Sequence, residues 1–151
     1  GNDRARLRLE GFKEALDAHP GARLEAPVIE NSYGTEDGGE AIEELLARDP
    51  RLTAVVCGND VLAVGVMARA RSLGLRVPED VSVTGFDDSE LAQIVAPPRT
   101  TVQVPHRDMG RIAALALLEM VEGKSAGMSK ILETRLQMRA SLGAAPASGH
   151  D

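Results

Sequence analysis

Leu7, Phe12, Ala15 and Leu16 recur at helical spacing and predict an amphipathic helix from about Ala5 to Ala18, stopped by His19-Pro20-Gly21. A strand is expected near Glu25 to Glu30. Gly34, Gly38 and Gly39 mark Asn31 to Gly39 as a loop, and Ala41, Ile42, Leu45 and Leu46 mark a second helix that ends before Pro50. The run Leu52 to Cys57 is short and continuously apolar, as in a parallel strand covered on both faces. A third helix, about Val61 to Leu73, is stopped by Gly74. The Pro78-Glu79-Asp80 turn then leads into a strand, Val81 to Phe86. After Ala96-Pro97-Pro98 the chain runs through Thr100-Thr101-Val102-Gln103 into a long helix, about Pro105 to Val121, with proline in the first turn where its missing N–H costs little. A last strand is expected near Ile131 to Arg139. The alternation of strand and helix predicts an α/β fold, a doubly wound parallel sheet with right-handed crossovers and helices on both faces.

Composition narrows the function. The 151 residues are 43% hydrophobic and 26% charged, enough for a real core, and no apolar stretch is long enough to cross a bilayer. One cysteine, Cys57, excludes an internal disulfide and a cysteine cluster for zinc, which suits a reducing cytoplasm. A net charge of −6 makes the chain as a whole repel phosphate backbones. With one Tyr, two Phe and no Trp, stacking platforms for bases or sugar rings are nearly absent.

Open parallel sheets bind ligands at the carboxyl ends of their strands. That rule selects Cys57-Gly58-Asn59-Asp60 and Gly85-Phe86-Asp87-Asp88. Each offers short polar side chains at a helix start, where they either cap the helix or contact a ligand. The two roles can also divide between neighbours, with Asp60 and Asp88 capping while Asn59 and Asp87 point into a cleft.

Five stretches, in order, resemble successive blocks of the LacI/GalR family of transcriptional regulators: Arg6 to Phe12, Gly58 to Gly65, Gly74 to Asp88, Pro97 to Val102 and Arg135 to Ser141. The resemblance implies a type I periplasmic-binding-protein-like domain of two lobes with a ligand between them, normally preceded by a helix-turn-helix headpiece. On that basis residues 1–96 belong to the C-terminal lobe without its first strand. Residues 97–127 are then a crossover segment and helix of the N-terminal lobe, 128–142 a return strand, and 143–151 a disordered tail.

By the same resemblance Arg8, three residues before Gly11, is the arginine that reaches the effector, and Asn59 and Asp87 are polar ligand contacts. A guanidinium, an amide and a carboxylate suit the hydroxyls of a sugar or related polyol. Arg6 is close enough to assist, although it suits a surface position too. His106 stands where some family members place a ring against the ligand, and is as well suited to solvent. Phe86, at a strand end, suits the core better than a stacking platform, and Cys57 reads as a small buried hydrophobe.

The third helix is apolar nearly all round, so it should be buried on both sides. One side faces its sheet. The other, with Val64 and with Ile94 and Val95 nearby, is expected to meet a second subunit as in family homodimers; the rival is a monomer in which another helix covers it.

In the family order the strand preceding Gly1 lies mid-sheet, between those near Glu25 to Glu30 and Leu52 to Cys57. Its absence implies a trimmed piece, or a gap closed by strand exchange, and weak or no effector binding by this chain. The function expected is therefore effector sensing and dimerisation in a cytoplasmic repressor that reaches operator DNA through its headpiece. A secreted sugar-binding protein of an uptake system is the alternative. A phosphoryl-transfer enzyme using Asp87 or Asp88 ranks below both, for want of a Walker loop, an early acidic cluster for Mg²⁺, or a Ser-His or Cys-His arrangement. We expect no catalysis, no cofactor, no metal and no membrane.

Overall fold

A computed structural model of the chain describes residues 3–19, 27–124 and 129–144. The elements run α1 (Asp3–Asp17), α2 (Thr35–Arg48), β1 (Ala54–Val56), α3 (Asp60–Ser72), β2 (Ser82–Asp87), α4 (Leu91–Ile94), β3 (Thr100–Gln103), α5 (His106–Val121) and β4 (Arg135–Gln137). The sheet order is β1-β2-β3-β4. β1, β2 and β3 are parallel, with Val55 opposite Val83 and Phe86 opposite Val102.

Side-chain alternation divides the sheet into two faces. Val55 and Cys57 of one strand, and Val83 and Gly85 of the next, share the face covered by α3. There they join Ile42, Leu45, Ala63, Val66, Met67, Ala70 and Val81 in one core. α2 lies on α3, and glycines set the spacing: a Cβ on Gly38 would overlap the Leu62 carbonyl oxygen, and one on Gly65 the Thr35 carbonyl oxygen. α3 ends as its sequence predicts. Gly74 takes φ +82°, and the amides of Gly74 and Leu75 donate to the carbonyls of Arg71 and Ala70, the Schellman arrangement that satisfies the last turn.

Val56 is 58% exposed, so β1 is covered on one face and not on both. Residues 25 and 26 lie outside the described residues, and 27–30 form no strand. A strand exists only as a ladder member, and β1 is the edge of the sheet among the described residues. Ile29 packs against the core instead, and the Val28 carbonyl accepts from Arg48 Nη1 at 3.3 Å.

Residues 100–103, read as a connection, form the fully paired strand β3. The sheet is mixed, because β4 runs antiparallel to β3, with Val102 opposite Leu136. α5 between them has no buried residue, so it does not pack back over the sheet as a crossover helix would, and the chain re-enters at the end where β3 finishes, Arg135 opposite Gln103. Ser141 closes this return: it is fully buried, accepts from Thr100 N at 2.9 Å and donates to the Val83 carbonyl. Gly143, the first residue of the expected tail, donates its amide to Ser82 Oγ; residues 145–151 of that tail lie outside the described residues.

Candidate functional site

The carboxyl ends of β1 and β2 lie side by side because the strands are parallel and paired. α1 brings Arg8 across them. Its guanidinium stacks 3.8 Å from the Phe86 ring centroid, Nη1 donates to the Gly58 carbonyl at 2.6 Å, and Nη2 lies 3.9 Å from Asp87 Oδ1. Ring and cation contribute about 0.5–2 kcal/mol at such a half-exposed site. Phe86 is thus a half-buried platform, and what it carries is the arginine. The Arg8 and Asp87 side chains remain 29% and 36% exposed, open enough for a small molecule to reach.

Asn59 lies at the same end of the sheet and caps α3, its Oδ1 accepting from Leu62 N at 2.7 Å, a contact of about 1 kcal/mol. Asp60 is not the cap. It is 1% exposed and sits beneath the site, so the division of roles suggested by the sequence is reversed for this pair. Asp60 Oδ2 accepts from Ser89 N and Oγ at 2.7 and 3.0 Å, and Oδ1 accepts from Thr101 Oγ1 at 2.8 Å. Arg99, fully buried, approaches the same oxygen with Nη2 at 3.2 Å and Nε at 3.4 Å. Gly85 makes room for the group, since a Cβ there would collide with Asp60 Oδ1 and Arg99 Nε.

The turn after β2 has unusual backbone. Asp87 and Asp88 take φ +103° and +53°, conformations that cost a non-glycine residue about 1–3 kcal/mol and persist only where surroundings hold them. Asp88 does not cap a helix. Its Oδ1 accepts from Arg139 Nη2 at 2.6 Å and its Oδ2 from Gln103 Nε2 at 3.1 Å.

The structure therefore gathers Arg8, Phe86 and Asp87, with Asn59 beside them. Arg6 turns away to Glu10 at 2.7 Å, an exposed i,i+4 pair. His106 is exposed at the start of α5 and takes no part in this cluster. Val64 is half-buried, Val95 packs against the core, and Ile94 is 76% exposed on the four-residue helix α4, which the sequence did not predict. Asp60 was selected only as a cap, and Ser89, Arg99, Thr101 and Arg139 were missed as parts of the site. Arg99, Thr101 and Arg139 lie in two of the stretches that carry the family resemblance, Pro97 to Val102 and Arg135 to Ser141, and Ser89 lies just after a third. Among the described residues no group of three His, Cys, Asp or Glu side chains is placed to hold a metal. No helix of the described residues is long and apolar enough to cross a membrane.

Residues 1–142 match the family model of the periplasmic binding protein-like domain. The chain is 41% identical over 145 residues to the HTH-type transcriptional regulator reg1 of Streptomyces lividans, covering 92% of this chain and 41% of that protein. Among solved structures it resembles the transcriptional regulator CelR in complex with cellobiose, with a TM-score of 0.81 and 37% identity over 89% of this chain and 41% of that one. It also resembles the lac repressor dimer bound to operator and the anti-inducer ONPF, with a TM-score of 0.82 and 29% identity over 93% and 49%. The chain spans about half the length of these proteins or less.

Proposed function

Since this chain belongs to the periplasmic binding protein-like domain family and its relatives are LacI-type regulators, we propose that it is the effector-sensing part of a transcriptional repressor that responds to a sugar. The observation that carries the reading is the convergence of Arg8, Asp87 and the Gly58 carbonyl at the carboxyl ends of two paired parallel strands. Arg8 supplies fixed donors, Asp87 supplies acceptors, and Asn59, whose oxygen caps α3, still offers its amide NH2. Donors and acceptors side by side match neighbouring hydroxyls, each of which does both. CelR, so similar in fold, was solved with cellobiose.

Residues 1–96 then form most of one lobe, 97–127 cross to the other, and 128–142 return. α5 fits this division, because it exposes Leu115, Leu118 and Val121 and has no fully buried residue, only Ile112 and Ala116 half-buried, among the described residues. Val64, Ile94 and Val95 would lie at a homodimer interface, and the lac repressor was solved as a dimer. The protein would work in the cytoplasm, without catalysis, reaching operator DNA through a headpiece. The likeness to an HTH-type regulator favours this over an uptake receptor. Closure of the lobes on the sugar would favour one spacing of the headpieces, by as much as its affinity for the two arrangements differs.

Calorimetry on the full-length protein that carries this sequence tests the reading, with cellobiose, lactose and ribose as probes. One of them is expected to bind, and Arg8→Ala and Asp87→Asn to weaken it roughly ten- to a hundredfold, the loss of one charge-assisted hydrogen bond of about 1.5–3 kcal/mol. Equal affinity in wild type and both variants, or no heat with any probe, would refute it.

A further inference from the structure

Asp87 is held toward Arg8 by a turn that its own sequence does not favour. Aspartate tolerates a positive φ singly, but two in succession need a reason beyond the turn itself to stay there. The two residues that follow Asp87 supply the reason, because each is anchored to a different part of the fold. Ser89 is fixed by Asp60 at the start of α3. Asp88, its side chain only 5% exposed, is fixed by Arg139 and Gln103. Arg139 is itself seated on the start of β3: its Nη1 donates to the Arg99 carbonyl at 2.9 Å, and its backbone amide donates to Thr100 Oγ1 at 2.8 Å. Gln103 is tied in turn to Gln137 of β4 at 3.0 Å.

From this we infer that Arg139, two residues beyond β4, is a positioning residue: its ion pair with Asp88 sets the direction of the neighbouring Asp87 carboxylate and thereby the seat of Arg8 on Phe86. Among the hydrogen bonds and ion pairs of Arg139, the one that reaches this turn is the pair with Asp88. Arg139 thus joins Gln103 and the β2–β3 ladder in tying the Arg8–Asp87 cluster to the β3–β4 strand pair. That cluster is the effector site on the reading proposed above, on which this inference rests.

The test needs no ligand. In the isotope-labelled chain, ring current from Phe86 should displace the side-chain resonances of Arg8 at its 3.8 Å stacking distance. In Arg139→Gln these signals are expected to move at least halfway to their unshifted positions, together with the Asp87 and Asp88 amides. The core methyls of Ile42, Val55 and Val83 should stay within a line width, and Arg139→Lys should recover at least half of the displacement. Unmoved Arg8 signals in Arg139→Gln would overturn the inference, and so would core methyls moving as far as Arg8, which is the mark of a merely structural role. If Arg139→Gln does not fold, Gln103→Leu decides, since Gln103 is exposed and holds the other oxygen of Asp88. A smaller displacement of Arg8 in the same direction supports the clasp, and none refutes it. Failure of the sugar reading shows in calorimetry and failure of the clasp in these spectra, so the two are separable.

Discussion

Asp60 and Arg99, 39 positions apart in the sequence, meet at 3.2 Å with side chains 2% and 0% exposed, directly beneath the Asp87–Asp88–Ser89 turn. A charge with so little water around it depends on its partner. Arg99→Met should therefore destabilise the chain by about 3–5 kcal/mol in urea unfolding, because Asp60 is left buried without its counter-charge. Asp60→Asn in the Arg99→Met background should recover part of that loss. Additive single-variant losses would show that the two side chains do not act as a pair.

The α2–α3 crossing predicts opposite effects for the same substitution. Gly65→Ala and Gly38→Ala place a methyl into a backbone carbonyl of the facing helix and should lower stability by about 1–3 kcal/mol or more. Gly11→Ala in α1 and Gly110→Ala in α5 meet nothing within 4 Å and should raise it by about 0.5–1 kcal/mol through helix propensity. Thermal melts of the four variants check the contrast.

Burial pushes the Cys57 thiol from 9.0 up to about 12. The native chain should thus resist a thiol reagent at pH 8 and react at the ordinary rate once unfolded in urea. A raised thiol pKa contributes stability that is complete below about 9, where the unfolded thiol is also neutral, and is lost as pH climbs toward 12. Rapid native labelling would contradict the burial.

Arg76 holds Asp80 with its side chain and its backbone amide, which lowers the carboxyl from 3.8 to about 2. A depressed carboxyl contributes above its unfolded value and loses that contribution as pH falls from about 4 toward 2. Carbon-detected titration should find Asp80 near 2 in the wild type and close to the ordinary carboxylate value in Arg76→Ala.

Ile94 is 76% exposed on α4, beside half-buried Val95. If this face pairs two copies as proposed, Ile94→Asp should turn a dimer into a monomer in sedimentation of the full-length protein, with its far-UV circular dichroism unchanged. An unaltered sedimentation coefficient would place the dimer interface elsewhere.

The chain's linear pattern was enough for α1, α3, β1, β2, α5 and β4, because helical spacing, apolar runs and stop signals such as Gly74 are written in consecutive residues, and for α2 except its first turn, Thr35 to Gly39, whose glycines read as loop and serve instead the close approach to α3. It was also enough to select the loops after β1 and β2, since a parallel sheet presents ligands at those strand ends. β3 escaped notice because Thr100-Thr101-Val102-Gln103 shows no apolar run; the two buried threonines donate to Asp60 and Ser141 and accept from the Arg139 amide. The open face of β1 and the unpaired course of residues 27–30 depend on which strands stand alongside, a property of neighbours and not of local spacing.

Local sequence decided that Asn59, Asp60, Asp87 and Asp88 would stand at strand ends, because strand, turn and helix signals lie within a few residues of each. Only the tertiary structure decided which of them caps, which is buried and which faces Arg8. Asn59 caps through Leu62, three residues on, but the burial of Asp60 and the hold on Asp88 follow from Arg99, Thr101, Gln103 and Arg139, 13 to 51 residues away, and electrostatic pairing at such separations leaves no periodic trace in the chain.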